Sequence, residues 1–122
     1  MAKKRTSYKA KSWETSRTND HYTRLHDELL NSAAYKSLSH AARTVYTVLK
    51  MQYRGDFTGD EVVCPYATFN AYHMQNRTIS KAIAELENKG FIKAERGALQ
   101  TGNLHREPNK YQFINKWRDF KP

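Results

Sequence analysis

One cysteine, three prolines, five glycines and twelve acidic residues are what this chain of 122 residues has little of. The lone Cys64 excludes an internal disulfide and a zinc site built from several cysteines, and it fits a reduced, half-buried thiol. No apolar run approaches the roughly 18 residues that span a membrane, and the basic N-terminus lacks the apolar middle of a secretory signal. The chain therefore reads as a cytoplasmic protein with no membrane partner. Catalytic and cofactor patterns are also missing. There is no Gly-rich phosphate loop and no serine-nucleophile elbow. His73 and Cys64 lack a third partner, and Asp56 and Asp60 lack the ligand pattern of a calcium site. His21, His26, His40 and His105 are scattered and read as surface residues. No enzyme activity and no cofactor is expected.

The shortage of acid is the informative one. Against 21 lysines and arginines it leaves a net charge of +9. Residues 1–19 hold Lys3, Lys4, Arg5, Lys9, Lys11 and Arg17 against Glu14 alone, so more than half of the excess sits in a polar, aperiodic arm. Such an arm on a basic domain is drawn to polyanions, nucleic acid first. An anionic membrane fits less well, because the arm has no helical apolar stripe. A solubilising terminus disordered in isolation is the plain alternative.

Apolar residues make up 39% and aromatics 12%, enough for one small core rich in Tyr and Phe. Asp20 is a candidate N-cap for a first helix with Tyr22, Leu25 and Leu29 on its apolar side. Ser32 caps a short continuation through Ala33, Ala34 and Tyr35 to Leu38. Ser39 caps a longer helix whose stripe Ala42, Val45, Tyr46, Leu49, Tyr53 is the cleanest periodicity in the chain, with Gly55 as its stop. A turn-rich loop at 54–60 leads to a short strand, Glu61-Val62-Val63-Cys64. Pro65 suits the first position of the next helix, about eight residues through Tyr66, Phe69 and Tyr72. After His73 and Met74 comes an amphipathic helix at 75–89. Ile79, Ala82, Ile83 and Leu86 form its core stripe, and Arg77, Lys81, Ala84 and Asn88 fall on the opposite face. Gly90 ends it in a left-handed conformation. Phe91–Arg96 and Lys110–Ile114 read as antiparallel strands around a 97–109 loop. Trp117 and Phe120 can pack back on the first helix. Taken alone, the 75–89 helix fits a DNA-reading head and a solvated surface helix equally.

The order of elements and the stretch Met74 to Ile92 resemble the winged helix-turn-helix family. In that family an apolar residue and a serine open the recognition helix, a Thr-Val/Ile-Ser-Arg/Lys step follows, and Leu-Glu-x-x-Gly-Leu/Phe-Ile closes it. Leu29 to Arg43 is similar to the first helices of small winged-helix proteins from plasmids, phages and conjugative elements of Gram-positive bacteria. The resemblance covers about residues 22–115 and implies an α+β fold, mostly α: three or four helices, a short strand and a two-stranded antiparallel wing. It divides the chain into a disordered basic arm at 1–19, a winged-helix domain at 20–116 and a C-terminal tail at 117–122. Two departures stand out. Tyr72-His73 occupies the place of the usual turn glycine, although histidine enters the left-handed region more readily than most residues. Gln75, a poor cap, replaces the N-cap serine, with Asn76 beside it as a better one.

The implied function is sequence-specific binding of double-stranded DNA, in regulation, replication or transfer of a mobile element. The recognition helix, about 76–89, would lie in the major groove. Gln75, Asn76, Arg77, Thr78, Ser80 and Lys81 are the candidate contacts. Arginine pairs with guanine O6 and N7, asparagine with adenine, and hydroxyls with phosphates near the helix start. Glu85 and Glu87 on its flanks would limit insertion of the second half. Arg106 or His105 in the 97–109 wing, and Lys3, Lys4 and Arg5 in the arm, are expected on phosphates or in a minor groove. A homodimer on paired half-sites is common for this motif. The alternative is a protein-interaction winged helix that docks a replication, transcription or relaxosome protein. RNA binding is a further alternative, less suited because the aromatics mostly sit at core spacing.

Overall fold

The computed structural model describes residues 23–53, 61–97 and 108–121. Within them the protein is mixed α+β and mostly helical: α1 (Asp27–Leu30), α2 (Ala33–Lys36), α3 (His40–Gln52), β1 (Glu61–Val63), α4 (Tyr66–Asn70), α5 (Asn76–Asn88), β2 (Ile92–Glu95), β3 (Lys110–Phe113) and a 3-10 helix at Lys116–Asp119. None of the described helices is long and apolar enough to cross a membrane.

The two long helices form where the 3.6-residue period is strongest; α5 buries its whole predicted stripe, and α3 buries all of its own but Tyr53, which is half-buried beyond the helix end. Ala42, Val45, Tyr46 and Leu49 of α3 and Ile79, Ala82, Ile83 and Leu86 of α5 are all at most 2% exposed, and the two helices pack against each other. Burying an aliphatic side chain of this size contributes about 1.5–3 kcal/mol, so this contact is a principal support of the fold. Ser32 and Ser39 cap as expected, their side chains accepting from the N–H groups of Tyr35 and Ala42.

The strands form one antiparallel sheet in the order β1-β3-β2. Tyr111 of β3 stands opposite both Val62 and Ala94. The alternation is clean: Val62, Ile92 and Tyr111 face the core, and Glu61, Val63, Lys93, Glu95, Lys110 and Gln112 face out. Burial pushes the Tyr111 hydroxyl up to about 12. Phe91 anchors the centre, stacked on Trp117 at 6.1 Å and edge-on to Tyr46 at 5.5 Å. Beside it the half-buried Lys50 lies 4.5 Å from the centre of the Phe113 ring, and burial lowers its pKa.

Several expectations are corrected. The first helix does not run on from Asp20. Residues 23–26 are not helical, and His26 is an extended N-cap ahead of Asp27 and Glu28, which place negative charge at the positive end of α1. Asp20 and Tyr22 lie outside the described residues. Helix α3 stops at Gln52, with Tyr53 already extended, so Gly55 (also outside them) is not its immediate stop. Helix α4 has five residues rather than about eight, and Pro65 is its N-cap, with ψ 157°. Tyr72 therefore leaves the apolar stripe and is 45% exposed. The strands are each shorter than read, and β1 joins the pair on the free side of β3. A boundary after residue 116 would cut the 3-10 helix, whose Trp117 is buried in the core. Trp117 stacks on Phe91 in the same buried cluster as Leu29 of α1, and an ion pair from Arg118 to Glu28 at 3.1 Å adds a link to that helix.

Candidate functional site

Helix α5 and the turn before it make the site. The turn is short because α4 ends at Asn70, whose side-chain amide donates to the carbonyl of Met74 at 2.8 Å. His73 takes a φ of 63°, the left-handed conformation expected where the resembled family carries glycine. Gln75 is the N-cap of α5 in extended conformation, and its side chain caps nothing. Asn76, the better cap by residue type, is instead the first helical residue, and its Oδ1 accepts from Asn70 Nδ2 at 3.0 Å. The first turn is thus held from the neighbouring helix.

The far end is held equally firmly. Gly90, with φ 86°, follows the C-cap Lys89. Its N–H bonds to Glu87 O and the Phe91 N–H bonds to Leu86 O, the paired closure of a Schellman motif. Glycine is required there twice over. A Cβ at position 90 would come within 2.6 Å of Lys116 Cβ and 2.8 Å of Trp117 N, where the 3-10 helix crosses.

All six candidate residues on this helix, Gln75, Asn76, Arg77, Thr78, Ser80 and Lys81, are exposed, as are Ala84 and Asn88. Arg77, Lys81, Ala84 and Asn88 lie opposite the buried stripe and form one face. Neither Arg77 nor Lys81 enters an ion pair among the described residues. The helix's two acids are turned to internal work. Glu85 accepts from the Ser39 N–H at 2.8 Å, from the Ser39 hydroxyl at 2.7 Å and from Lys89 at 3.4 Å. Within a capping box the third residue of a helix supplies the bond to the N-cap N–H. In α3 that position is Ala42, and Glu85 supplies the bond from 46 residues away. Burial pushes the Glu85 carboxyl up, but the hydrogen bonds from Ser39 and Lys89 outweigh it and hold its pKa below the usual value. Glu87 accepts from Arg96 at 3.0 Å and from the Ala94 N–H at 3.4 Å, tying α5 to β2. On the flanks of the helix these two acids thus have a positioning role, Glu85 toward α3 and Glu87 toward β2. The outer face of the sheet is a useful contrast: there Lys93 and Lys110 alternate with Glu61 and Glu95.

The base of the 97–109 loop is closed by Asn109, which is 9% exposed. Its Oδ1 accepts from the Gly97 N–H at 2.9 Å, and its amide donates to the Tyr111 hydroxyl at 3.1 Å. The loop residues 98–107, including His105 and Arg106, lie outside the described residues, as do Lys3, Lys4 and Arg5 of the arm. Asn70, Glu85 and Asn109 are the site-building residues that sequence reasoning missed. Their partners in α3, the α4–α5 turn and the loop base have no shared spacing that would reveal them. Among the described residues no group of three or more His, Cys, Asp or Glu is placed to hold a metal ion. Cys64 is fully buried, and burial pushes its thiol up to about 11.

Comparisons of the chain with protein-family models, with curated proteins and with solved structures find no match.

Proposed function

We propose that the chain is a winged helix-turn-helix protein that binds double-stranded DNA sequence-specifically, with the first turns of α5 in the major groove. The observation that carries this reading is the one-sided charge of α5. Arg77 and Lys81 stand exposed one turn apart, in no ion pair among the described residues, while Glu85 and Glu87 are engaged by Ser39, Lys89, Arg96 and β2. A solvated helix of mixed charge has no need to remove its acids from the exposed face. A helix approaching phosphates does, because each uncompensated carboxylate there is repelled. Ala84 leaves room for close approach, and Arg77 reaches a base edge where two parallel hydrogen bonds to guanine are available. Thr78 and Ser80 sit near the helix start, where free N–H groups favour phosphate. The arm and the 97–109 loop supply further phosphate contacts, and the protein acts in regulation, replication or transfer of a mobile element.

Substituting Arg77→Ala and Lys81→Ala together should lower specific affinity by at least tenfold in a gel-shift assay with a selected duplex, since each good base contact is worth about 1–3 kcal/mol. Intact specific binding by the double variant would remove α5 from the interface. The second reading, an accessory protein that docks a replication, transcription or relaxosome partner, draws on a different observation. Met51 on the outer side of α3 and Tyr72 in the turn are 41% and 45% exposed and touch each other, Oη to Sδ at 3.8 Å. Substituting these two should leave DNA affinity unchanged under the first reading.

A further inference from the structure

We infer that Asn70 is a specificity-setting residue: it dictates which end of the Asn76 side chain meets a base pair, and turns the Asn76 amino group outward as a donor that selects against cytosine. This rests on the DNA-binding reading above.

Hydrogen-bond direction fixes the orientation of both amides. Asn70 Nδ2 lies 2.8 Å from the carbonyl oxygen of Met74 and 3.0 Å from Asn76 Oδ1. A backbone carbonyl only accepts, so the Asn70 group beside it must be the amino end. That amino group carries a second hydrogen, which points to Asn76. The atom of Asn76 that meets it must be an acceptor, Oδ1. Neither amide can turn over by itself without setting two donors or two acceptors against each other. The network therefore admits one arrangement, anchored by a backbone atom. Asn76 is exposed, and its Nδ2 is the end left for a partner.

The usual asparagine–adenine pair needs both ends of the amide facing the base, Oδ1 accepting from N6 and Nδ2 donating to N7. Here Asn70 occupies one lone pair of Oδ1 and holds that end inward, so the end turned outward is the Nδ2 donor. Guanine offers two neighbouring acceptors in the major groove, N7 and O6, while the cytosine edge offers a donor. Adenine N7 and thymine O4 accept there as well, so cytosine is the base that an outward Nδ2 rejects.

Two substitutions reverse the polarity by different routes. Asn70→Asp puts an acceptor-only group beside Asn76, which turns its amino end inward and presents Oδ1. Asn76→Asp keeps one oxygen for Asn70 and presents the other outward. It also places a negative charge in the first turn of α5, which the helix dipole favours, so this variant keeps its fold if the first loosens the turn. Duplexes would be selected from a randomised pool by the full chain, by both variants and by Asn76→Ala, and affinities then measured on singly substituted sites. Asn76→Ala should erase preference at one position. There the native chain should favour guanine over cytosine by about tenfold, and both Asp variants should favour cytosine or adenine with all other positions unchanged. Cytosine preferred by the native chain at that position, or a native preference retained by both Asp variants, overturns the inference. So does an Asn76→Ala variant that selects the native site unaltered, although DNA binding then stands. A native chain that enriches no duplex sequence defeats the DNA-binding reading itself.

Discussion

Glu85 shows how one residue can serve the site without touching a ligand. Its carboxylate caps α3 through Ser39 and holds α5 in place, and those hydrogen bonds depress its pKa. A depressed carboxyl stabilises the fold above its unfolded-state pKa of about 4.3 and loses that contribution as pH falls through the lower folded-state value. Glu85→Gln should therefore melt below the native protein at pH 7, and the two melting temperatures should converge as pH is lowered toward 3. Thermal unfolding followed by circular dichroism across that range reads the difference directly. A gap that stays constant with pH would mean that the charge of Glu85 is not what matters. Asn109 belongs to the same category of residue, a buried amide whose two ends are both used, closing the loop at Gly97 and binding Tyr111. Neither role is visible in a sequence, where Glu85 reads as one more flanking acid and Asn109 as a loop residue.

At the scale of elements, the helices with many periods were legible and the short ones were not. Helices α3 and α5 each repeat an apolar stripe over about three turns; burial follows it throughout α5, and in α3 it adds Val48 and leaves Tyr53 beyond the helix end. Helix α4 has little more than one turn, too few positions for a period to register, so its end was set by a side chain, Asn70, reaching the carbonyl of Met74. The following turn depends on His73 at φ 63°. A left-handed non-glycine residue costs about 1–2 kcal/mol, which glycine avoids while losing roughly 0.5–1 kcal/mol of chain entropy. His73→Gly should therefore be neutral or stabilising by up to about 1 kcal/mol in a urea melt. His73→Val, β-branched and ill-suited to that conformation, should destabilise by at least about 1 kcal/mol. Equal stability of the glycine and valine variants would contradict the left-handed turn.

Over the whole molecule, charge is distributed unevenly in two ways. Along the chain, six basic residues crowd into positions 1–19; across the domain, the acids of α5 are held by internal partners while its front stays basic. Under the proposed function, deleting residues 1–19 should flatten the slope of log affinity against log salt by up to about 5, near 0.9 for each phosphate that the arm neutralises. Affinities measured over a salt series give that slope, and an unchanged one would place the arm away from DNA. Composition, charge balance, the two long amphipathic helices, the strands around the 97–109 loop and the glycine stop at position 90 were determined by the sequence alone, because each depends on residues close together in the chain. Only the tertiary structure decided that Glu85 faces Ser39, that β1 completes the sheet, that Trp117 belongs to the core and that Asn76 turns its oxygen toward Asn70. Each of these is a hydrogen bond, a strand pairing or a packing contact between elements. Its direction is fixed by where the partner lies in space, which local periodicity and spacing do not encode.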